Sequence, residues 1–415
     1  MKRRLIAFAL ALALVFSLTA CGLTPGKSVD LMQGIKANEV NTDVDLRGSG
    51  AVAVTDFAVR LFQKSMEDGE SSLISPISVL CALAMTANGA TGEARAQMED
   101  VLGLPAEELN EYLHAYMEQL PQGDKYKLSL ANAVWFRDDK GLAVKDEFLQ
   151  MNTDYYGAGI FKAPFNETTC NDINSWVKEN TGGMIQKILD EIPPETMMYL
   201  INAVAFDAEW QRKYYDTQVR EGIFTQENGT EETAVYLWGE EHLYMEDDFA
   251  TGFAKRYADE KYLFVAMLPK DGVSINEYVQ SLTGERLHDL LKGREMITVR
   301  TSIPKFEHEC SMELSDTLKA MGMILPFESN GWFEGIGTSE EGPLMLSKVL
   351  HKTYISVDEA GTKAGAATAA MIDAGAAPDK EYKEVYLDRP FVYMIVDTET
   401  NIPIFIGTVM EVDGA

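Results

Sequence analysis

Cysteine and histidine are scarce in this chain of 415 residues, which contains four Cys and five His. Apart from Cys21, the cysteines are Cys81, Cys170 and Cys310, which lie far apart and include no C-x-x-C pair. This odd number and wide spacing argue against a disulfide framework. No His, Cys or carboxylate residues have the spacing of metal ligands, so neither a metal nor another cofactor is expected.

Basic residues are also few. The chain contains 36 Lys and Arg compared with 65 Asp and Glu, and its formal net charge is −29. A chain this acidic repels phosphate backbones, so nucleic acid is not an expected partner. The hydrophobic content of 46% is sufficient for a large core. No internal repeat and no Gly/Ser-rich or Pro-rich linker divides the chain after its N-terminus.

The first residues have the pattern of an export signal. "MKRR" is positively charged, and "LIAFALALALVFS" is an apolar run too short for a convincing membrane span. "LTAC", residues 18–21, resembles the bacterial lipobox, whose cysteine is lipidated and becomes the mature N-terminus. We therefore expect a signal peptide over residues 1–20 and a lipidated tether over 21–48 that begins at Cys21. The protein would be exported and either anchored at the bacterial surface or extracellular; a plain secretory signal is the alternative.

Helical patterns concentrate early in the chain and strand patterns late. In "SPISVLCALAMTANGATGEARAQM", Ser75 can cap a helix and Pro76 fits its first position. This helix is apolar on nearly all sides, which predicts deep burial. "MMYLINAVAFDAEW" predicts a central strand covered on both faces. The distribution favours one α+β domain around large sheets, over residues 49–415, rather than a regular βαβ alternation.

"GTKAGAATAAMIDAGAAP", from Gly361 to Pro378, is a soft stretch between two strong strand patterns. A structureless segment this long inside a compact domain usually has a function. Its charged residues Lys363 and Asp373, like the nearby Glu359, stand at odd positions. Because alternate side chains of a strand point to opposite faces, a strand formed here would present one face suited to a core. The even positions that would form this face are Thr362, Ala364, Ala366, Thr368, Ala370, Ile372 and Ala374.

The chain resembles the serpin family over roughly residues 50–412. The motifs that carry the resemblance follow one another in the family's order: "SPISVLCALAMTANGATGEARAQM", "NSWVKENTGGMIQKIL", "LINAVAFDAEW", "PKFE" with "LKAMGM", "LSKVLHKTYISVDEAGT" and "DRPFVYMIVDTETNIPIFIG". The resemblance implies about nine helices around three β-sheets, with an exposed reactive-centre loop at about residues 359–384. It also implies a monomeric serine protease inhibitor that works as a suicide substrate. The cleaved loop inserts into the main sheet, and the protease stays trapped as an acyl-enzyme.

The resemblance also assigns roles to individual residues. The loop hinge would consist of Glu359, Gly361, Thr362, Ala364, Ala366 and Ala367. A polar cluster under the opening sheet, called the shutter, would consist of Ser75, Ser78, Asn202 and His351. Trp135 and Trp210 match aromatic positions near the top of the sheet, called the breach. The departures from the family pattern, Lys363 and Gly365, are odd positions that would face outward, so inhibition is expected to survive.

The bait bond follows from a count along the loop. In the family the hinge Glu is usually the seventeenth residue before the cut, when the residue that supplies the scissile carbonyl is counted as the first. From Glu359 this count gives the bond Gly375–Ala376. The alternates are Ala374, Ala377 and Asp373, of which Asp373 would suit an Asp-specific protease. "IDAGAAP" contains no Lys, Arg or large aromatic residue. Elastase-like or subtilisin-like serine proteases that accept small residues are therefore the expected partners.

Two other functions are possible on the same sequence. A non-inhibitory relative with this fold would merely be cleaved and would act as a surface binding protein. "SWVK", from Ser175 to Lys178, fits the S-x-x-K start of a β-lactamase site, but the S-D-N and K-T-G partners are missing. No G-x-S-x-G occurs either, so no enzymatic activity is expected.

Overall fold

The computed structural model describes residues 28–40, 42–120, 126–138, 141–258, 260–340, 342–362 and 382–412. The helices within these ranges are α1 Ser49–Ser65, α2 Pro76–Ala87, α3 Gly92–Leu102, α4 Ala106–Glu118, α5 Asp146–Tyr156, α6 Glu167–Asn180, α7 Ile275–Ser281, α8 Gly284–Lys292 and α9 Ser315–Ala320. The strands are β1 Val29–Asp30, β2 Ser72–Ile74, β3 Tyr126–Arg137, β4 Ala143–Val144, β5 Gly159–Ala163, β6 Met198–Glu209, β7 Val219–Thr225, β8 Glu231–Glu241, β9 Leu243–Glu246, β10 Ala250–Arg256, β11 Tyr262–Pro269, β12 Thr298–Pro304, β13 Phe306–Glu313, β14 Gly337–Thr338, β15 Lys348–Val357, β16 Gly361–Thr362, β17 Tyr382–Tyr386, β18 Phe391–Asp397 and β19 Pro403–Val409.

Three sheets organise these strands. The main sheet has the order β1-β5-β3-β6-β16-β15-β13, the second sheet β2-β19-β18-β11-β10-β9, and the third sheet β17-β12-β8-β7. Strands β4 and β14 form a separate short pair. Nine α-helices around three larger sheets in the described residues confirm the expected α+β fold class.

Helix α2 lies in the core and contacts β3 and β6 of the main sheet and β19 of the second sheet. All twelve of its residues are buried, as the apolar pattern predicts, and Pro76 occupies its first position. Ser75 stands at the N-cap position, but its hydroxyl does not cap the helix. It donates instead to the main-chain oxygen of Ile404 at 2.7 Å, so the capping role expected for Ser75 is wrong.

Strand β6 lies in the middle of the main sheet, and both of its faces are covered, as predicted. Its even-numbered residues from Met198 to Ala208, except Asn202, belong to the large core between the sheets. Tyr199, Ile201 and Ala203 belong to a smaller apolar cluster together with residues of α6. This alternation fixes which face of any strand added beside β6 would be buried.

The chain is packed against the domain well before residue 49. Strand β1 pairs with β5, where Val29 lies opposite Lys162, and Leu31, Met32 and Ile35 pack against the core. Further along, the main-chain N–H of Asn38 donates to the Asp154 carboxylate of α5 at 2.8 Å. The expected tether over 21–48 is therefore wrong from residue 28 onward, whereas Cys21 lies outside the described residues.

None of the helices in the described ranges is both long and apolar enough to span a membrane. The same residues contain no group of three His, Cys, Asp or Glu side chains arranged to hold a metal ion. Cys81, Cys170 and Cys310 are free thiols. Burial raises the pKa of the Cys81 thiol to about 12, so this residue acts as a small apolar member of the core.

Candidate functional site

The main sheet contains a partly occupied slot between β6 and β15. These two strands pair directly in parallel from Lys348 opposite Tyr199 to Tyr354 opposite Ala205. Beyond that point β16 lies between them, antiparallel to both, and Thr362 is opposite Ala208 on one side and Val357 on the other. We call the position of β16 the loop entrance, because a longer segment here would extend between β6 and β15.

A tight turn brings the chain from β15 into the loop entrance. The Asp358 carboxylate accepts hydrogen bonds from the main-chain N–H groups of Ala360, at 2.7 Å, and Gly361, at 3.1 Å. Such a side-chain turn is a common use of Asp. The next residue, Glu359, lies 2.7 Å from Lys305 Nζ, and this hydrogen bond lowers the pKa of its carboxyl group. The sequence motifs identified Glu359 but missed Asp358.

Gly361 is required by the closeness of two backbones. A Cβ atom at this position would lie 2.1 Å from the Ala208 main-chain oxygen and 2.8 Å from Glu209 Cα. Any side chain would therefore push β16 away from β6. Glycine is thus required at this hinge position for a steric reason, which does not depend on its φ angle.

Thr362 faces the core, in agreement with the assignment of even positions to the buried face. Its side chain is fully buried, and its hydroxyl shares a hydrogen bond of 2.6 Å with the Tyr257 hydroxyl. Tyr257 in turn stacks on Trp210, with ring centroids 4.5 Å apart. A larger or charged side chain at residue 362 would have to displace this buried pair.

Trp210 holds the turn from the β6 side. Its main-chain N–H donates to the Ala360 oxygen at 2.9 Å, and its indole N–H donates to the Asp358 oxygen at 2.8 Å. Lys255, which is 3% exposed, lies 5.4 Å from the Trp210 ring centroid and 2.7 Å from Glu241. Trp210 therefore lies beside the loop entrance, and the sequence motifs missed its neighbours Tyr257 and Lys255.

Trp135 does not lie at the loop entrance. It stands opposite Tyr199 on β6 and stacks on Phe161, with ring centroids 4.3 Å apart. Trp210, just past the end of β6, is eleven positions from Tyr199, a distance of about 36 Å at ~3.3 Å per residue. The placement of Trp135 at the breach is wrong, because β3 and β6 are antiparallel and the end of β3 lies beside the start of β6.

The four shutter residues form one buried cluster where β6 and β15 pair. His351 and Asn202 are opposite each other in the strand register and share a hydrogen bond from Nδ1 to Oδ1. The Asn202 amide donates to Ser78 Oγ and to Asn132 Oδ1, and the Ser75 main-chain N–H donates to His351 Nε2 at 3.0 Å. Asn132 on β3 is a fifth member that the motifs missed; its position opposite Asn202 follows only from the pairing of β3 with β6.

His351 is neutral in this cluster. Its Nε2 accepts a hydrogen bond from a main-chain N–H, so the ring proton is on Nδ1, which donates to Asn202. Burial lowers the pKa of His351 to about 3. A second proton would have no acceptor on Nε2, so the cluster is arranged for the uncharged ring.

The remaining site assignments lie outside the described residues. They are Cys21, the hinge residues Ala364, Ala366 and Ala367, and the candidate bond residues Asp373, Ala374, Gly375, Ala376 and Ala377. The chain resumes in β17, which pairs in parallel with β12 of the third sheet. Ser175 and Lys178, the S-x-x-K pair, are both exposed on α6.

Comparisons with known proteins agree on one family. The model of the family "Serpin (serine protease inhibitor)" matches residues 52–412. An uncharacterized serpin-like protein of Thermococcus kodakarensis is 30% identical over 86% of this chain and 84% of its own length. The leukocyte elastase inhibitor of Bos taurus is 29% identical over 86% of this chain and 98% of its own length.

Solved structures of one thermophilic serpin, tengpin, allow a comparison of conformations. Its native-state structure is 47% identical, covers 93% of this chain and all of its own, and has a TM-score of 0.89. Its latent-state structure covers 90% of this chain and all of its own, at 43% identity, with a TM-score of 0.79. The described conformation is therefore more similar to the native state than to the latent state.

Proposed function

This chain belongs to the serpin family, and we propose that it inhibits serine proteases as a suicide substrate. Serpins are generally protease inhibitors rather than enzymes, and some are non-inhibitory. The observation that carries the proposal is the loop entrance, where β16, a strand of two residues, lies between β6 and β15. From Tyr199 to Ala205 of β6 the same two strands pair directly with each other. An inserting loop would therefore have to separate them.

The register at the loop entrance supports insertion of the whole soft stretch. Gly361 pairs with Glu209 and Thr362 with Ala208, so each further loop residue would move one position down β6. Residue 372 would then lie opposite Met198, the first residue of β6, and even-numbered loop residues would face the core. The segregation of charge to odd positions fits this arrangement, because buried unpaired charges are strongly unfavourable.

The protease would be trapped because an ester bond joins it to the loop while the loop inserts. The catalytic serine oxygen of the protease attacks the loop carbonyl, the amide nitrogen leaves with a proton, and an ester joins the two proteins. Insertion then pulls the esterified residue along the main sheet and deforms the protease active site. Without its oxyanion hole and triad geometry the protease hydrolyses the ester many orders of magnitude more slowly.

The scissile bond is proposed to be Gly375–Ala376, with Ala374, Ala377 and Asp373 as alternates. A cut here would leave the ester just past the register position of Met198, beyond the start of β6. The small residues of "IDAGAAP" fit elastase-like or subtilisin-like proteases. One relative bears the name leukocyte elastase inhibitor, which supports this class of target without identifying it.

Export and lipidation at Cys21 complete the proposal. The signal pattern of residues 1–20 and the lipobox-like "LTAC" support them. Diacylglyceryl modification supplies two acyl chains, which is sufficient for stable attachment. Mass spectrometry of the protein purified from its native host would detect the modification, and an unmodified residue 21 would refute it.

Protease trapping is tested by mixing residues 28–415 with elastase-like, subtilisin-like, trypsin-like and chymotrypsin-like enzymes. A complex that survives boiling in SDS, together with a C-terminal peptide that starts at Gly375, Ala376 or Ala377, is the expected result for the first two classes. Cleaved chain without any complex would identify the non-inhibitory alternative. A peptide that starts outside Ala374 to Pro378 would overturn the proposed bond.

A further inference from the structure

A cavity beside Trp210 is lined by four basic side chains, although the chain as a whole is acidic. It has a volume of about 180 Å³, and its lining includes Arg212, Arg256, Lys255 and His242. One water molecule needs roughly 10–15 Å³ on the same measure, so the cavity has enough room for a small oxyanion. Glu241 also lines the cavity, but Lys255 Nζ lies 2.7 Å from its carboxylate and neutralises it.

Arg212 and Arg256 lack a carboxylate partner within the described ranges. No Asp or Glu oxygen of those ranges lies within 4.0 Å of either guanidinium, whereas the neighbouring Lys213 is paired with Glu209 at 2.9 Å. The chain has 65 acidic residues for 36 basic ones, so a partner is available to most cations. Two guanidinium groups without a carboxylate in one cavity are therefore a site that an anion from solution can fill.

A third guanidinium adds to the positive charge at this site. Arg294 donates to the Leu291 main-chain oxygen and, at 2.9 Å, to Asn401 Oδ1, both of which are uncharged. Burial lowers the pKa of Arg294, and the positive charge of Arg256 lowers it further. An anion bound beside Arg256 would offset this repulsion.

We propose that this cavity binds a small, doubly charged oxyanion of the phosphate type, held by Arg212 and Arg256. The planar guanidinium fork matches the oxygens of such an anion and can donate two parallel hydrogen bonds. His242 is a further potential donor in the lining. Met296, which is 76% exposed, lies at the same cavity and leaves its rim open to solvent.

The cavity is connected to the loop entrance through the end of β6. The Gln211 main-chain N–H donates to the Arg256 oxygen at 3.0 Å, which ties the segment after β6 to the end of β10. The preceding residue, Trp210, donates to Ala360 of the hinge turn. An anion between Arg212 and Arg256 strengthens this tie, so it is expected to slow the movement of β6 away from β15. This effect on insertion rests on the proposed inhibitory function, whereas anion binding does not.

Calorimetric titration with inorganic phosphate tests the site, at constant ionic strength with chloride as the background anion. Wild type is expected to bind one phosphate, and Arg212→Gln and Arg256→Gln are each expected to weaken binding at least ten-fold. Arg220→Gln, which removes an exposed arginine of β7 outside the cavity, should bind like wild type. Absence of saturable heat with wild type overturns the site, as does equal weakening by all three variants. Arg212 is exposed, so its variant keeps the test valid if Arg256→Gln does not fold.

The connection to the loop entrance is tested without any protease. The half-time of spontaneous conversion to the loop-inserted form is measured at elevated temperature, with and without saturating phosphate. Phosphate is expected to lengthen the half-time of wild type several-fold and to leave that of Arg212→Gln unchanged. An unchanged half-time in wild type that binds phosphate would overturn the connection, and loss of binding would overturn the site itself. Failure of the protease test above leaves the result of the phosphate titration unaffected.

Discussion

At the scale of single residues, Thr362 is the first loop side chain inside the main sheet. Replacement by Arg would bring a charge against the Tyr257 hydroxyl in a fully buried position. A barrier raised by about 3 kcal/mol would slow insertion roughly a hundred-fold. Thr362→Arg should therefore be cleaved without trapping, as measured by the ratio of SDS-stable complex to cleaved chain. Thr362→Ser keeps the hydroxyl and should trap normally; equal trapping by both variants contradicts the hinge assignment.

A second prediction concerns Thr368, which lies outside the described residues. Continuing the registers of Thr362 with Ala208 and with Val357 places residue 368 opposite Asn202 on one side and His351 on the other. The two residues that now bond to each other would thus be separated by one threonine, whose hydroxyl can bond to either. Thr368→Val should lower the unfolding free energy of the cleaved form by about 1–3 kcal/mol. The intact form and Thr368→Ser should keep wild-type unfolding curves, and loss of stability in intact Thr368→Val would argue against this register.

The third prediction at this scale is a pH dependence of stability. His351 has a pKa of about 3 in the folded protein, compared with about 6.5 when unfolded. Only the unfolded chain binds a proton at this residue between those values, so the contribution of His351 is complete above pH 6.5 and declines toward pH 3. Between pH 7 and pH 5 the loss is at most about 2 kcal/mol.

Urea unfolding of wild type and His351→Gln at pH 7, 6 and 5 measures this loss. Ser78, Asn202 and Asn132, which surround the ring, do not titrate, so the difference in slope belongs to His351. Carboxyl groups of lowered pKa, such as Glu359, affect both proteins alike. Parallel pH curves for the two proteins would contradict the prediction.

At the scale of elements, the N-terminal segment is an edge strand of the main sheet. Partial burial of Leu31, Met32 and Ile35, together with the β1–β5 pairing, should stabilise the domain by about 2–5 kcal/mol. A chain that begins at Val44 should therefore unfold at lower urea concentration than one that begins at Ser28. Equal midpoints would show that this segment adds nothing to stability.

The sequence predicted those elements whose patterns are long. The nearly continuous apolar sequence of α2 and the long apolar run of β6 give clear signals of burial, and the order of the motifs indicated the family. Strands β1 and β16 have two residues each, which is too few to show a periodic pattern in the sequence. Each of them forms only because a neighbouring strand offers an edge to pair with. The position of Trp135 was predicted wrongly because a motif gives only the position of a residue along the chain. The end of the main sheet at which Trp135 lies depends on the antiparallel pairing of β3 with β6.

At the scale of the whole molecule, the proposed loop insertion predicts that the intact fold is not the most stable arrangement of this chain. Cleavage in the loop would allow ten residues beyond Thr362 to join β6 as an added strand. Their backbone hydrogen bonds and buried even side chains should raise the melting temperature by on the order of 10 °C or more, since each kcal/mol corresponds to roughly 2–4 °C. Calorimetry of intact and loop-cleaved protein tests this expectation, and equal melting temperatures would contradict it.

The position of β1 also has a consequence for geometry at a lipid surface. Val29 is paired with Lys162, Lys162 with Phe136, and Phe136 with Met198. Strand β1 therefore lies at the end of the main sheet where β6 starts. Cys21 and Ser28 are seven positions apart, a reach of at most about 25 Å. If Cys21 is acylated, this pole of the domain stays close to the bilayer, and the loop entrance lies at the opposite end of β6. An inserted loop runs down β6 toward the same pole, so a captured protease would be drawn from the outside toward the membrane.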